Sequence, residues 1–152
     1  MPIKTLDAAS LRGRFPAPQQ QQGPPDLKRP EQPYGASVFL TLPVPPSVNN
    51  LFTTWKDGSR HKSKEAVEYR DTVARRLLIQ PHTMFQGQVG VRIRVYRKRK
   101  VGDIDNYKKA LYDSLKGHCW RDDSQIIYEE AFRYDDPANP RVEVEIWEVA
   151  RE

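Results

Sequence analysis

Two aspartates, Asp103 and Asp105, lie two residues apart at a point where a predicted strand ends and a predicted helix begins. In extended backbone, residues i and i+2 project to the same side of the chain, so two such carboxylates can approach one hard cation. Mg²⁺ prefers oxygen ligands and usually takes only one or two protein carboxylates, with waters and phosphate oxygens completing its shell. The alternative is purely structural, with Asp105 capping the N-terminus of the helix.

A second acidic pair, Asp122 and Asp123, precedes the next predicted strand. Either residue, together with Asp103 and Asp105, would complete a site of three carboxylates. The intervening helix carries the chain ~16 Å away from Asp105. The segment 117–122 reaches up to ~20 Å, which is just enough to bring the chain back. We therefore predict a three-carboxylate metal site, with Asp123 as the third ligand and Asp122 as the alternative.

Basic residues accompany the acids. Lys109 shares a helical face with Asp105 and Asp113, where it forms either a surface ion pair or a cation that neutralises charge on a scissile phosphate. The basic run Arg97-Lys98-Arg99-Lys100 lies directly before the acids, where it could bind a phosphate backbone. The residues that we expect to contact DNA are Asn49, Lys62, Arg97, Lys98, Arg99, Lys100 and Lys108.

Charge and composition narrow the class of protein. The 152-residue chain has a net charge of +5, and its positive charge is concentrated in 56–109, where 15 basic and 6 acidic residues lie. A basic balance favours polyanionic partners.

There is no long apolar run that predicts a membrane span and no secretory leader, so we expect a cytoplasmic protein. A single cysteine, Cys119, excludes an intramolecular disulfide, and no dinucleotide, P-loop or zinc pattern is present.

The pattern of residues predicts a tail followed by one domain. Residues 1–35 hold seven of the 13 prolines and a glutamine run, which is typical of a disordered segment.

The order of elements predicted for the domain, 36–152, is β-α-β-α-β-β. Alternating apolar residues predict strands at 38–42, 89–96, 126–134 and 142–146, and helical spacing predicts helices beginning after Ser63 and at Asn106. The apolar stripe predicted for the first helix consists of Ala66, Val67, Val73, Ala74, Leu77 and Leu78. We predict a polar loop over 47–60 and a core position for Trp120. The fold class is α/β (α+β), a mixed sheet of about four strands with two helices packed on it.

Three stretches together resemble the RusA family of Holliday junction resolvases, small endodeoxyribonucleases of bacteria and their phages. They are Leu42-Pro43-Val44-Pro45-Pro46-Ser47-Val48-Asn49, Ser63 through Tyr69-Arg70-Asp71, and Asp103-Ile104-Asp105-Asn106 leading to Trp120-Arg121-Asp122-Asp123-Ser124-Gln125. They occur in the family's order and span most of the domain. The proline-rich tail and a somewhat long loop around 56–59 depart from the family pattern.

The resemblance implies that Asp103, Asp105 and Asp123 are the catalytic metal ligands and that Lys109 is the functional lysine. It also implies a homodimer that binds branched DNA, namely four-way junctions, and nicks two strands symmetrically with Mg²⁺ or Mn²⁺ and no small-molecule cofactor. Such an enzyme would act in DNA recombination and repair, in the cytoplasm of a bacterial or phage-infected cell. Metal-activated water would attack a backbone phosphodiester.

Two other functions remain open from the sequence. One is a metal-dependent nuclease that cleaves flaps, replication forks or RNA. The other is a non-catalytic DNA-binding accessory protein, in which the acids serve only to cap a helix.

Overall fold

The strands and helices follow the apolar patterns of the sequence. The computed structural model describes residues 36–100 and 102–149, and the predicted tail lies outside them. In chain order the elements are β1 (Ser37–Leu42), β2 (Phe52–Thr54), β3 (Arg60–Lys62), α1 (Lys64–Leu77), β4 (Val89–Arg97), α2 (Asp105–Leu115), β5 (Ile126–Asp135) and β6 (Arg141–Glu148). Short 3₁₀ turns occupy Val48–Asn50 and Asp123–Gln125.

The main sheet has four strands in the order β1-β6-β4-β5. β6 runs antiparallel to both β1 and β4, and its Val144 pairs with Leu40 and Ile93. β4 and β5 are parallel, and α2 lies in the connection between them, as a parallel pair requires. The sheet is therefore mixed, which confirms the predicted fold class. Neither helix of the described part is long and apolar enough to cross a bilayer.

One face of the sheet forms the core with the two helices. Its apolar side chains alternate along the strands and are almost fully buried, and buried residues of α1 and α2 join the same cluster. Trp120 is also buried in this cluster, as predicted. The principal members are Leu40, Leu42, Val73, Leu77, Val91, Ile93, Val95, Leu111, Leu115, Val142, Val144 and Ile146.

The opposite face of the sheet carries charged and aromatic side chains. Arg92 lies on this face, as its alternation with Val91 and Ile93 predicts, but it is only 7% exposed. Its guanidinium forms ion pairs with Glu130 of β5 and Glu145 of β6. The neighbouring strands thus supply the partners that a buried charge requires.

The segment predicted as a polar loop contains a short hairpin instead. β2 and β3 pair antiparallel, with Phe52 opposite Lys62. The ring of Trp55 stacks on that of His61 with 3.8 Å between their centroids. Strands of three residues are too short to show an alternating pattern, so cross-strand contacts rather than sequence periodicity define this hairpin.

Helix α1 begins as predicted, and it buries Val73 and Leu77 of the predicted apolar stripe. The Ser63 side chain caps it by accepting a 3.1 Å hydrogen bond from the backbone N–H of Ala66. Val67 and Leu78, which we assigned to the apolar stripe, are 45% and 84% exposed. Tyr69 is buried instead, and its hydroxyl donates to the carbonyl of Pro43. Tyrosine could occupy this core position because its polar end has an acceptor.

Candidate active site

Asp103 and Asp105 lie at the start of α2 and are strongly exposed. Their side chains are 91% and 79% accessible to solvent. The helix begins at Asp105, and its capping residue is Ile104, which provides no side-chain cap. The alternative interpretation of Asp105 as the helix cap is therefore wrong. Within the part of the chain that the structure describes, neither carboxylate caps this helix end.

The backbone between the two acids differs from our expectation. Ile104 has φ −61° and ψ −36°, which is helical rather than extended. Asp103 and Asp105 therefore do not project to one side of an extended chain, contrary to our prediction. Because both side chains are exposed, their directions depend on side-chain rotamers more than on the backbone.

Each of these acids has a cation nearby. Nη1 of Arg133, on β5, lies 3.9 Å from Oδ1 of Asp103. Nζ of Lys108 lies 2.7 Å from Oδ1 of Asp105 and 2.7 Å from Oε1 of Glu129. The hydrogen bond to Asp105 and then that to Glu129 raise the pKa of Lys108, so its charge is stabilised. A positive charge thus lies between two carboxylates at the edge of the sheet.

Glu129 is a member of this site that the sequence reasoning missed. In addition to Lys108, it accepts a 2.5 Å hydrogen bond from the hydroxyl of Tyr112. Burial raises the pKa of Tyr112, so the phenol remains a donor. The strand-helix-strand order of the sequence could have indicated Glu129. This order favours a parallel pair of β4 and β5, with α2 in the connection between them.

A tight turn from Gly117 to Trp120 follows α2. Gly117 has φ +86°, a left-handed conformation that glycine adopts without the strain caused by a Cβ atom. Its N–H donates a 2.7 Å hydrogen bond to the carbonyl of Trp120. The Trp120 ring packs edge-on against Tyr112 with 5.6 Å between centroids. The turn therefore leads directly to the second acidic pair.

Asp122 and Asp123 have different surroundings. Asp122 caps the 3₁₀ turn by accepting from the N–H of Ser124, and it forms a 3.0 Å ion pair with Lys116. The hydrogen bond from Ser124 is the main reason that the pKa of Asp122 lies below its ordinary value. Oδ1 of Asp123 instead accepts a 2.8 Å hydrogen bond from Nε1 of Trp120. Asp122 has a structural role, which leaves Asp123 as the better candidate ligand.

Gln125 fixes the position of this turn. Its side-chain amide donates to the carbonyls of Phe85 and Gly87, at 3.0 and 2.8 Å. Its side-chain oxygen accepts from the N–H groups of Arg121 and Asp122. The Asp-Asp-x-Gln pattern thus combines a capping acid, a candidate ligand and an anchor.

A chain of contacts connects Asp105, at the start of α2, with Asp123 in the turn. It runs from Asp105 through Lys108, Glu129, Tyr112 and Trp120 to Asp123. Within residues 36–100 and 102–149, no group of three or more His, Cys, Asp or Glu side chains is arranged to hold a metal ion. The donor chemistry nevertheless fits a hard cation, since exposed carboxylate oxygens are what Mg²⁺ prefers.

The four residues of the basic run differ in exposure. Arg97 is only 7% exposed and forms a 2.7 Å ion pair with Asp135, the residue paired with it on β5. It also donates to the carbonyl of Gly102. The expectation that Arg97 contacts DNA is therefore corrected, because it ends a buried strand and its charge is already paired. Lys98, Arg99 and Lys100 are exposed.

The remaining predicted residues have distinct positions. Nζ of Lys109 forms a 2.8 Å ion pair with Asp113, as its helical spacing indicates. Asn49 is exposed in the first 3₁₀ turn, and Lys62 is exposed on β3. Lys108 binds acids of the site, as described above. Its DNA contact and the functional role of Lys109 remain predictions.

Comparison with known proteins agrees with the resemblance. No curated protein matches the chain at a significant level. The model of a protein family described as endodeoxyribonuclease RusA matches residues 42–147, which includes β4, α2, the turn and β5. This match covers most of the chain and all of the candidate acids. The chain therefore belongs to the endodeoxyribonuclease RusA family and is an enzyme that acts on DNA.

Proposed function

We propose that this protein is a divalent-metal-dependent Holliday junction resolvase that cuts four-way DNA junctions by paired nicks. The observation that carries the proposal is the exposure of Asp103 and Asp105 at a helix end that neither side chain caps. Exposed acids that do not cap the helix, in an endodeoxyribonuclease family, are the natural candidates for its chemistry.

Asp103, Asp105 and Asp123 are the proposed holders of Mg²⁺ or Mn²⁺. A bound cation would supply Lewis-acid activation of water and of the phosphate. Trp120 positions Asp123 through its indole N–H, and Gln125 anchors the turn that carries both. Glu129 accepts hydrogen bonds from Lys108 and Tyr112, and it thereby holds the Lys108 ammonium beside Asp105.

DNA is proposed to bind through its phosphate backbone. Lys98, Arg99 and Lys100 follow β4 and are exposed. Asn49, in the first 3₁₀ turn, and Lys62, on β3, are also exposed. Lys109 is proposed to neutralise charge on the scissile phosphate once DNA competes with Asp113 for its ammonium. A homodimer suits the two-fold substrate, since a two-fold interface repeats one site twice. We place this activity in recombination and repair in the cytoplasm.

Cleavage of defined substrates tests the proposal. We expect the full chain with Mg²⁺ to cut a synthetic four-way junction faster than a linear duplex, a fork, a flap or RNA, and to cut none of them in excess EDTA. Asp103→Asn should abolish cleavage while junction binding is retained. A preference for forks or flaps would identify the alternative nuclease. No metal-dependent cleavage of any substrate would favour the non-catalytic DNA-binding protein.

A further inference from the structure

A cavity of about 580 Å³ opens between the segment that follows β1 and the start of α2. Its size lies in the range of ~300–1,000 Å³ that is typical of small-ligand sites. Four of its lining residues, Pro43, Val44, Tyr107 and Pro140, are apolar or aromatic. Three others, Arg97, Lys98 and Arg99, are cationic.

This cavity shares a wall with the candidate active site. Gly102, directly before Asp103, and Asn106, directly after Asp105, both line it. The carbonyl of Gly102 accepts hydrogen bonds of 3.0 Å from Arg97 and from Arg133. The two guanidinium groups thus fix the wall, and a ligand in the cavity would lie next to the segment that carries both carboxylates.

The lining has two chemically different parts. The prolines, the valine and the tyrosine ring provide flat apolar surface for an aromatic ligand. Lys98 and Arg99 are exposed, and neither forms an ion pair with any residue of the described chain. A ligand that matches both parts has a flat aromatic group and a negative charge, as a nucleotide does.

We propose that this cavity receives one unpaired nucleotide of the DNA substrate, with its base against Val44 and Tyr107 and its phosphate at Lys98 and Arg99. The proposal rests on the proposed function and adds a binding site for a base to it. A base stacked inside a duplex cannot enter such a cavity, and unstacking costs least where pairing is already interrupted. The site would therefore favour DNA with a branch point over a continuous duplex.

Binding measurements that do not require cleavage test this inference. The full-length Asp103→Asn variant is titrated with labelled four-way junctions in which one nucleotide near the branch point at a time is abasic. Loss of the base at one position should weaken binding by about tenfold, the size of one base–aromatic stacking contact. Val44→Trp, which fills the cavity, should weaken binding of the intact junction by a similar factor and remove the effect of the abasic site. Val67→Trp, a matched change on exposed α1 surface, should alter neither.

Two results would overturn the inference. One is that every abasic junction binds with the same affinity as the intact junction. This measurement needs no cavity variant, so it does not depend on whether Val44→Trp folds. The other is a folded Val44→Trp protein that still distinguishes intact from abasic DNA as strongly as its parent. Failure of the wild-type chain to cut junctions in Mg²⁺ would instead reject the proposed function. The two failures are therefore distinguishable.

Discussion

The indole N–H of Trp120 donates a 2.8 Å hydrogen bond to Oδ1 of Asp123, although the two residues contribute to different parts of the molecule. The ring of Trp120 is fully buried in the core, whereas Asp123 is partly exposed at the sheet edge. The buried Trp120 ring thereby orients the carboxylate of Asp123, a candidate metal ligand. Asp122, its neighbour, has no such contact and caps the turn instead.

Replacing Trp120 with phenylalanine tests this relationship. Trp120→Phe keeps an aromatic ring in the core but removes the N–H, so Asp123 loses its orientation. Because outer partners of metal ligands typically contribute ~10–100-fold, we expect junction cleavage to fall by that factor while the circular dichroism spectrum is retained. Trp147→Phe, at another buried tryptophan, should leave the cleavage rate unchanged. Wild-type cleavage by Trp120→Phe would show that the hydrogen bond is not needed.

Adjacent acids should give opposite phenotypes. Asp123→Ala removes a proposed ligand and should lower junction cleavage by at least about a hundredfold with little change in Tm. Asp122→Ala removes the cap and the Lys116 ion pair, so Tm should fall while the folded protein still cleaves. Thermal melting and a cleavage time course on both variants separate these effects. The reverse pattern would make Asp122 the ligand.

Residues of the basic run should also separate into two groups. Binding of a duplex or a junction should become less salt-dependent when Lys98 and Arg99 are both changed to alanine, with the slope of log K against log salt reduced by about 2. Arg97→Ala should instead lower the free energy of unfolding by roughly 2 kcal/mol, because it removes charged hydrogen bonds to Asp135 and Gly102. An unchanged salt slope in the double variant would show that Lys98 and Arg99 do not contact phosphate.

Acid should destabilise the fold through Glu130. The hydrogen bond from Arg92 is the main reason that the pKa of Glu130 is lowered in the folded protein. A carboxyl with a depressed folded pKa stabilises the protein above its unfolded pKa of about 4.3, and this contribution is lost as the pH falls through the folded pKa. Glu130→Gln should cost about 3 kcal/mol at pH 7, since it breaks a buried pair, and the difference from wild type should shrink toward pH 3.

Urea unfolding at a series of pH values measures this difference. Glu68→Gln, in an exposed ion pair with Lys64, serves as the control and should change stability little at any pH. A difference between wild type and Glu130→Gln that stays constant from pH 7 to pH 3 would contradict the assignment.

Much of the main sheet was predictable from the sequence because its strands alternate over many residues. Val89 to Val95 and Val142 to Ile146 show this pattern, and the structure places them side by side. The hairpin was not predictable, since β2 and β3 each have only three residues. The burial of Arg92 was also hidden, because its partners Glu130 and Glu145 are distant in the sequence and become neighbours only through strand pairing.

The candidate acids of the site could be selected from their types and spacing, but their surroundings could not be predicted. Whether Asp105 caps α2 depends on the backbone angles of Ile104, which no motif specifies. The choice between Asp122 and Asp123 depends on one N–H of a buried ring. Glu129 joins the site only because β5 packs beside α2, a relationship set by the fold as a whole.

Metal binding by single variants tests the central claim that three carboxylates share one cation. Mn²⁺ titration followed by electron paramagnetic resonance should show a site on the wild-type chain. Asp103→Asn, Asp105→Asn and Asp123→Asn should each weaken it by at least about tenfold. Asp122→Asn, which keeps a good capping residue, should bind Mn²⁺ like wild type. Wild-type affinity in Asp123→Asn, with loss of affinity in the other two site variants, would show that Asp123 does not share the ion with Asp103 and Asp105.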